Sequence, residues 1–343
     1  MTHFLLEYGM FAAKIITVAL LCVGSILFLI LMVGQRHREG ESIEIEKIND
    51  QFDAMRETLE EVLLSKQEIK ALKKERKKQE KLEEKNNKRL QKMGETIPQS
   101  RLFVLRFEGD MQASEVENLR QSITAILSVA TPADEVLAII ESAGGFVHHY
   151  GLAASQLQRI RQRNIPLTAS IDLVAASGGY LMASVANTIL AAPFAIVGSI
   201  GVLAQIPNFN RLLKKHAIDI EQHTAGEYKT TLTMLGENTD KAREKFKEEL
   251  EDTHTLFKSF VLEHRSQLDI ERLATGEHWY GTKALELKLI DRIITSDDYL
   301  MHKSEASDIF EVSYVIHEGT IDKIISAVHG TTSKLLSVLG LRY

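Results

Sequence analysis

One cysteine, Cys22, stands in 343 residues, which excludes an intrachain disulfide and a thiolate-held metal cluster. Basic charge is not in excess: 41 Lys and Arg face 47 Asp and Glu, a net charge of −6 at pH 7. A phosphate backbone is met by a basic footprint, so nucleic acid is not an expected partner. No His-Glu-x-x-His pattern occurs, and with it goes the usual helical zinc-hydrolase signature; no metal and no cofactor are expected. Two absences are local. Residues 15–34 hold no charged side chain, and no proline occurs before Pro98, although the chain has five.

The uncharged stretch 15–34 reads as a membrane span, since about 1.5 Å per helical residue carries it across a hydrocarbon core of roughly 30 Å. A cleaved signal peptide is the alternative, but its apolar region is usually shorter and ends at small residues, whereas Arg36 and Arg38 follow here. A single-pass anchor in a cell (inner) membrane is therefore expected, after a short segment 1–14. Lys14 before the span against Arg36, Arg38 and a lysine-rich block after it points the bulk of the chain to the cytoplasm, but long translocated domains escape that rule and the side stays open.

Residues 35–99 are dense in mixed charge and read as a helical stalk. Ile48, Phe52, Met55, Leu59 and Val62 recur at alternating spacings of four and three, with Ile69 resuming the frame after Lys66, which suits either a coiled coil or a solvated single helix. From about Lys73 to Lys92 charge takes over, and a linker is expected. Residues 100–300 form the globular domain, and a C-terminal extension 301–343 holds an amphipathic helical pattern over 322–341.

Within 100–300, apolar runs alternate with helical periods: strands over 102–107, 135–140, 166–171 and 189–192, helices over 114–129, 146–163 and 178–187, and a long charged helix over 240–266. That alternation predicts an α/β domain whose largely parallel sheet is covered on both faces. Residues 280–291 read as a turn, a short helix and a closing strand.

Candidate chemistry starts at Ala175-Ala176-Ser177-Gly178-Gly179-Tyr180, where an apolar run gives way to a helical one. A serine at such a strand-to-helix turn is lifted off the sheet beside a helix N-terminus. Acyl transfer needs a nucleophile, a proton acceptor and donors aimed at the oxyanion. Ser177 supplies the first. Lys229 supplies the second if burial lowers its amine far enough to make it neutral. Backbone N–H groups of Gly178 and of the Gly144-Gly145 turn supply the donors. Taken singly, these are also an ordinary turn, a surface lysine and a strand-ending bend. His148, His149, His216 and His223 are the histidines nearest the motifs in sequence, and none stands in a pattern that pairs it with Ser177.

The set Ser142-Ala143-Gly144-Gly145, the Ser177 motif, Gly198-Ser199-Ile200-Gly201-Val202 and Lys229 resembles the signal peptide peptidase SppA family of serine-lysine membrane proteases, and the anchor and charged stalk resemble its SohB branch. The resemblance implies a ClpP/crotonase-like fold, Ser177 as nucleophile, Lys229 as general base, Ser199 as the hydroxyl that orients the lysine, and oxyanion donors at Gly144, Gly145 and Gly178. It also implies a homo-oligomeric ring in which serine and lysine come from adjacent subunits, acting on peptides or unfolded segments such as signal-peptide remnants or envelope proteins. One departure stands out: the family usually has proline where this chain has Ala143, so φ there is not pinned. Two rivals remain, a crotonase-like acyl-CoA enzyme and a catalytically silent membrane scaffold acting through its stalk.

Overall fold

The computed structural model describes residues 9, 10, 14, 17, 41–92 and 100–316. The expected span 15–34 thus lies outside the described residues except for Thr17, as does the helical pattern over 322–341. Among the described residues no helix is long and apolar enough to cross a membrane. Ile45–Ser313 form one compact unit, which carries the candidate site.

The sheet is mixed and ten-stranded. Its main path runs β1 (Glu41–Lys47), β10 (Asp308–Ile316), β2 (Arg101–Gly109), β3 (Glu135–Ser142), β4 (Leu167–Ile171), β6 (Thr188–Ala191) and β9 (Arg292–Ile293). From β10 to β9 every neighbouring pair is parallel. The central strands are near-continuous apolar runs, and Val104, Val136, Leu137, Leu167 and Ile189 are fully buried, as a sheet covered on both faces requires.

A branch leaves this path at the carboxyl end of β3. There β5 (Val174–Ala176) pairs with β3 through Ser142 and Ala175, then with β7 (Ile196–Gly198), whose other edge takes β8 (His278–Tyr280) antiparallel. The fork puts the Ser177 turn at the carboxyl ends of parallel strands, where open α/β sheets leave a crevice.

Helices cover the sheet as their periods direct. In α3 (Val116–Val129) Leu119, Ile123 and Ile126 are buried, and in α4 (Val147–Gln162) Tyr150, Ala153, Ala154, Leu157 and Ile160. Every residue of α5 (Gly178–Ser184) is buried. After a short α6 (Asn210–Lys215) comes α7 (Asp240–His264), capped by Thr239, whose side chain accepts from Ala242 N at 3.2 Å. Of its expected apolar side, Phe246 to Phe260, only Phe257 is buried, and Phe246, Leu250, Thr253 and Phe260 are half-buried. Beyond it come α8 (Ile270–Leu273), α9 (Gly281–Glu286) and α10 (Ser296–Ser304).

The stalk differs from expectation in three respects. Its residues Glu41–Lys47 form strand β1 instead of helix. Its helix breaks into α1 (Ile48–Leu63) and α2 (Lys66–Lys92), and α2 stays helical through the stretch read as a linker. The break is a reciprocal cap: Ser65 N donates to Glu68 Oε2 at 2.8 Å, and Glu68 N to Ser65 Oγ at 3.4 Å. The predicted stripe is used only at its base, where Ile48 and Phe52 pack on Leu102, Val104, Tyr299 and Ile309 while Met55, Leu59 and Val62 stay exposed. The two helices meet through charges instead, Arg76 donating to Glu60 at 2.5 Å.

Candidate active site

Ser177 stands between β5 and α5 with φ +50° and ψ −119°, a region L-residues seldom occupy and one that persists only when neighbours over-determine it. They do so here. Ser177 N donates to Gly198 O at 2.8 Å, its carbonyl accepts from Leu181 N at 2.9 Å, and Ala176 is in register with Gly198. The helix that follows is fastened at depth: Tyr180 O–H donates to Leu289 O at 2.9 Å, and burial pushes its phenol well above the ordinary range. Nearby, the buried Arg265 makes a two-pronged bond to Asp291 at 2.8 and 2.9 Å, and Asp291 also accepts from Ile189 N at 2.7 Å.

The Gly144 turn lies directly over this corner. A methyl group added at Gly144 would sit 2.7 Å from both Gly178 N and Ser177 Cβ, and its φ of +90° also favours glycine. The motifs at Gly144 and at Ser177, distant in sequence, are therefore in contact. Their N–H groups are not equivalent. Gly144 N donates to Ser142 Oγ at 3.0 Å and is occupied, whereas Gly145 N and Gly178 N make no hydrogen bond among the described residues. Of the three expected oxyanion donors the structure leaves two free. Ser142 belonged to the sequence motif without a role, and its place as the acceptor for Gly144 was not legible there.

Ser199 follows Gly198 with φ +53°, and its N–H donates to Glu277 O at 2.7 Å. The Ser177 and Ser199 backbones are thus tied to the two ends of one Gly198-Ser199 corner. Neither hydroxyl has a hydrogen-bond partner among the described residues.

Lys229 stands apart. It lies in residues 201–239, where almost every position is exposed and only α6 is regular. No hydrogen bond joins its ammonium to Ser177 or Ser199, and the structure does not unite the three within one chain. Its neighbours are anchored to α7, Glu227 to Lys241 at 2.5 Å and the Tyr228 ring beneath Lys245 at 5.4 Å. The segment is also tied to itself, Asn208 Nδ2 donating to Thr233 O at 2.8 Å and Asn210 Nδ2 to Leu235 O at 2.9 Å. A cavity of about 430 Å³, lined by Thr224, Glu227, Tyr228, Thr230 and Thr231 among others, opens in this segment. The apolar side chains of the segment face outward: Leu203 is 83% exposed, and Leu212, Ile218 and Ile220 are exposed as well.

Among the described residues no histidine forms an alternative pair with Ser177. His148 stacks on Phe146 and His149 meets that ring edge-on at the start of α4, and His223 lies 3.6 Å from Glu221 on the exposed segment. No cluster of three or more candidate metal ligands occurs among the described residues.

Two family models match nearly the whole sequence: peptidase family S49 N-terminal over residues 3–157, and peptidase family S49 over residues 159–309. The first spans the Gly144 turn, the second Ser177, Ser199 and Lys229. Among curated proteins the chain is 48% identical to a probable protease SohB of Haemophilus influenzae over 92% of its own length and 90% of the relative's. It is 46% identical to a probable protease SohB of Buchnera aphidicola subsp. Acyrthosiphon pisum over 98% of each. A third such protein, of Buchnera aphidicola subsp. Schlechtendalia chinensis, is 48% identical over 88% of this chain and 99% of its own. With identity at this level over most of both partners, the chain belongs to peptidase family S49.

Proposed function

We propose that this peptidase is a membrane-anchored serine endopeptidase in which Ser177 is the nucleophile, Lys229 the general base and Ser199 the hydroxyl that orients the lysine. The observation that carries the reading is the Ser177 corner: a serine at φ +50° whose hydroxyl is unengaged, with two unengaged N–H groups, of Gly145 and Gly178, beside it. The forked parallel sheet around it supports a ClpP/crotonase-like fold.

The chemistry follows from those parts. Ser177 Oγ attacks the carbonyl carbon of a peptide while its proton passes to a neutral Lys229 Nζ. The carbonyl oxygen becomes an oxyanion held by the Gly145 and Gly178 N–H groups, an arrangement in which one donor is typically worth about 3 kcal/mol. The C–N bond then breaks, the lysine ammonium returns the proton to the departing amine, and an acyl-serine remains. Water, deprotonated by the same amine, attacks the ester and frees the second product. Unfolded segments are the substrates this suits, because an extended backbone must reach a recessed corner.

A neutral lysine needs desolvation, and Lys229 is exposed in the single chain. Its segment also exposes Leu203, Leu212, Ile218 and Ile220. Both facts support a homo-oligomeric ring in which that segment seats on a neighbouring copy and delivers Lys229 to the neighbour's Ser177. The uncharged stretch 15–34 supports a single-pass anchor in the inner membrane, the side being left unassigned. Purified Ser177→Ala and Lys229→Ala are each expected to lose turnover of an unstructured protein such as casein while keeping the wild-type circular dichroism. Near-normal cleavage by either variant would refute the dyad.

A further inference from the structure

Tyr150, on the first turn of α4, is fully buried and touches both halves of the candidate oxyanion site. Its hydroxyl donates to Asp110 O at 2.6 Å and lies 2.5 Å from Ser142 Oγ. Ser142 Oγ lies 3.0 Å from Gly109 O and accepts Gly144 N–H at 3.0 Å. With the tyrosine proton committed to Asp110, the serine proton goes either to the phenol oxygen or to Gly109. In both cases Ser142 Oγ keeps a lone pair for Gly144. Burial raises the Tyr150 phenol, against the lowering contact from Ser142, so it stays a neutral donor.

On its other side the tyrosine ring lies against the backbone of Gly178, where an added methyl group would overlap the ring and Cβ of Tyr150. One side chain therefore supports the backbone on which both free donors stand. Gly145 N–H is itself bracketed, since Gly144 N is held by Ser142 and Phe146 N donates to Met111 O at 2.9 Å. Between Ser142 and Gly144 stands Ala143, with no ring to restrict φ.

We propose that Tyr150 is the positioning residue of the oxyanion hole: through Ser142 it fixes the Gly144 turn and so the direction of Gly145 N–H, and through its ring it sets the position of Gly178 N–H. The two buried hydroxyls supply the rigidity that a proline at residue 143 would otherwise give. This rests on the peptidase reading above, and it differs from a mere clasp between the 109–111 loop and α4. A clasp holds the fold together; a positioning residue acts on the transition state.

The test uses the full chain with Tyr150→Phe, which keeps the ring and removes the hydroxyl, and Ser142→Ala as a second variant should the first not fold. The loss of one oxyanion donor typically costs 10²–10³ in kcat, so partial misplacement is expected to lower kcat by roughly 10- to 100-fold with KM changed by less than about twofold. Hydrogen exchange of a peptide covering residues 142–146 should become at least about tenfold faster. Ala143→Pro added to Tyr150→Phe should recover about threefold or more of the lost kcat and slow that exchange. Unchanged kcat and exchange in both single variants would overturn the proposal, as would a loss of kcat that Ala143→Pro leaves untouched. Exchange that quickens in a chain with no wild-type cleavage would support the positioning role while removing the peptidase reading.

Discussion

The corner at Ser177 and the segment at Lys229 are built by opposite means. Around Ser177 the backbone is held by its own bonds, its N–H to Gly198 and its carbonyl to Leu181, and the helix behind it is fastened to Leu289 by the Tyr180 hydroxyl, leaving free the N–H groups of Gly145 and Gly178. Around Lys229 the contacts are surface ion pairs and side-chain bonds from Asn208 and Asn210, and apolar side chains point outward. Burial accounts for the difference. The unusual backbone of Ser177 is affordable only inside a core that leaves no alternative, whereas Lys229, on the proposed reading a general base that loses water when copies assemble, has to remain reachable until then. The proposed site would then have one half complete in the folded chain and the other half waiting for a neighbouring copy to cover it.

The comparison breaks most sharply at Gly144. Gly144→Ala forces a side chain into Gly178 N and Ser177 Cβ at a φ of +90°, so peptidase activity should fall by at least about 100-fold, with stability lowered by about 1–3 kcal/mol. Casein turnover and urea unfolding measure the two effects; wild-type values of both would mean that the contact is not as close as described. A step further from the serine, Arg265→Met removes the partner of Asp291 beneath α5. Because one charge is then left beside the core, unfolding should become easier by roughly 2–4 kcal/mol, with activity lost in parallel as the corner loosens. Stability retained with that variant would detach the Ser177 corner from the scaffold to which it is assigned here.

On the Lys229 side the expected effect is small. Glu227→Gln breaks an ion pair with Lys241 whose two side chains are 61% and 71% exposed, so the thermal midpoint should move by no more than about 1 °C. Differential scanning fluorimetry reads this directly. A large drop would show the segment to be part of the folded core and would erase the contrast between the two regions.

Much of this was legible in the sequence, for reasons that differ by element. Strands β2, β3 and β6 are largely apolar runs because both their faces are covered, and α3 and α4 announce themselves by period. The glycines at positions 144 and 178 marked the corner because only a missing side chain permits so close an approach. The three-residue strands β7 and β8 could not be read, being too short for any period to show, and β1 hid in a run of mixed charge. The break between α1 and α2 did carry a signal, Ser65 followed three residues later by Glu68, but the apolar frame of Ile48 to Val62 drew attention past it. Tyr150 gave none. On a helix it reads as one more core aromatic, and only the contacts with Ser142 and Gly178 reveal what it supports.

On the proposed reading a folded chain holds a finished nucleophile corner and lends its lysine to a neighbour. Mixing purified Ser177→Ala with Lys229→Ala, each inactive alone, and letting subunits exchange tests it most directly. If the site is shared, random assembly places an intact serine beside an intact lysine at about a quarter of the sites, and casein turnover should return to roughly that fraction of the wild type. If the mixture stays inactive while exchange is verified and the wild type cleaves, serine and lysine act within one chain, and the account of two separately built halves is wrong.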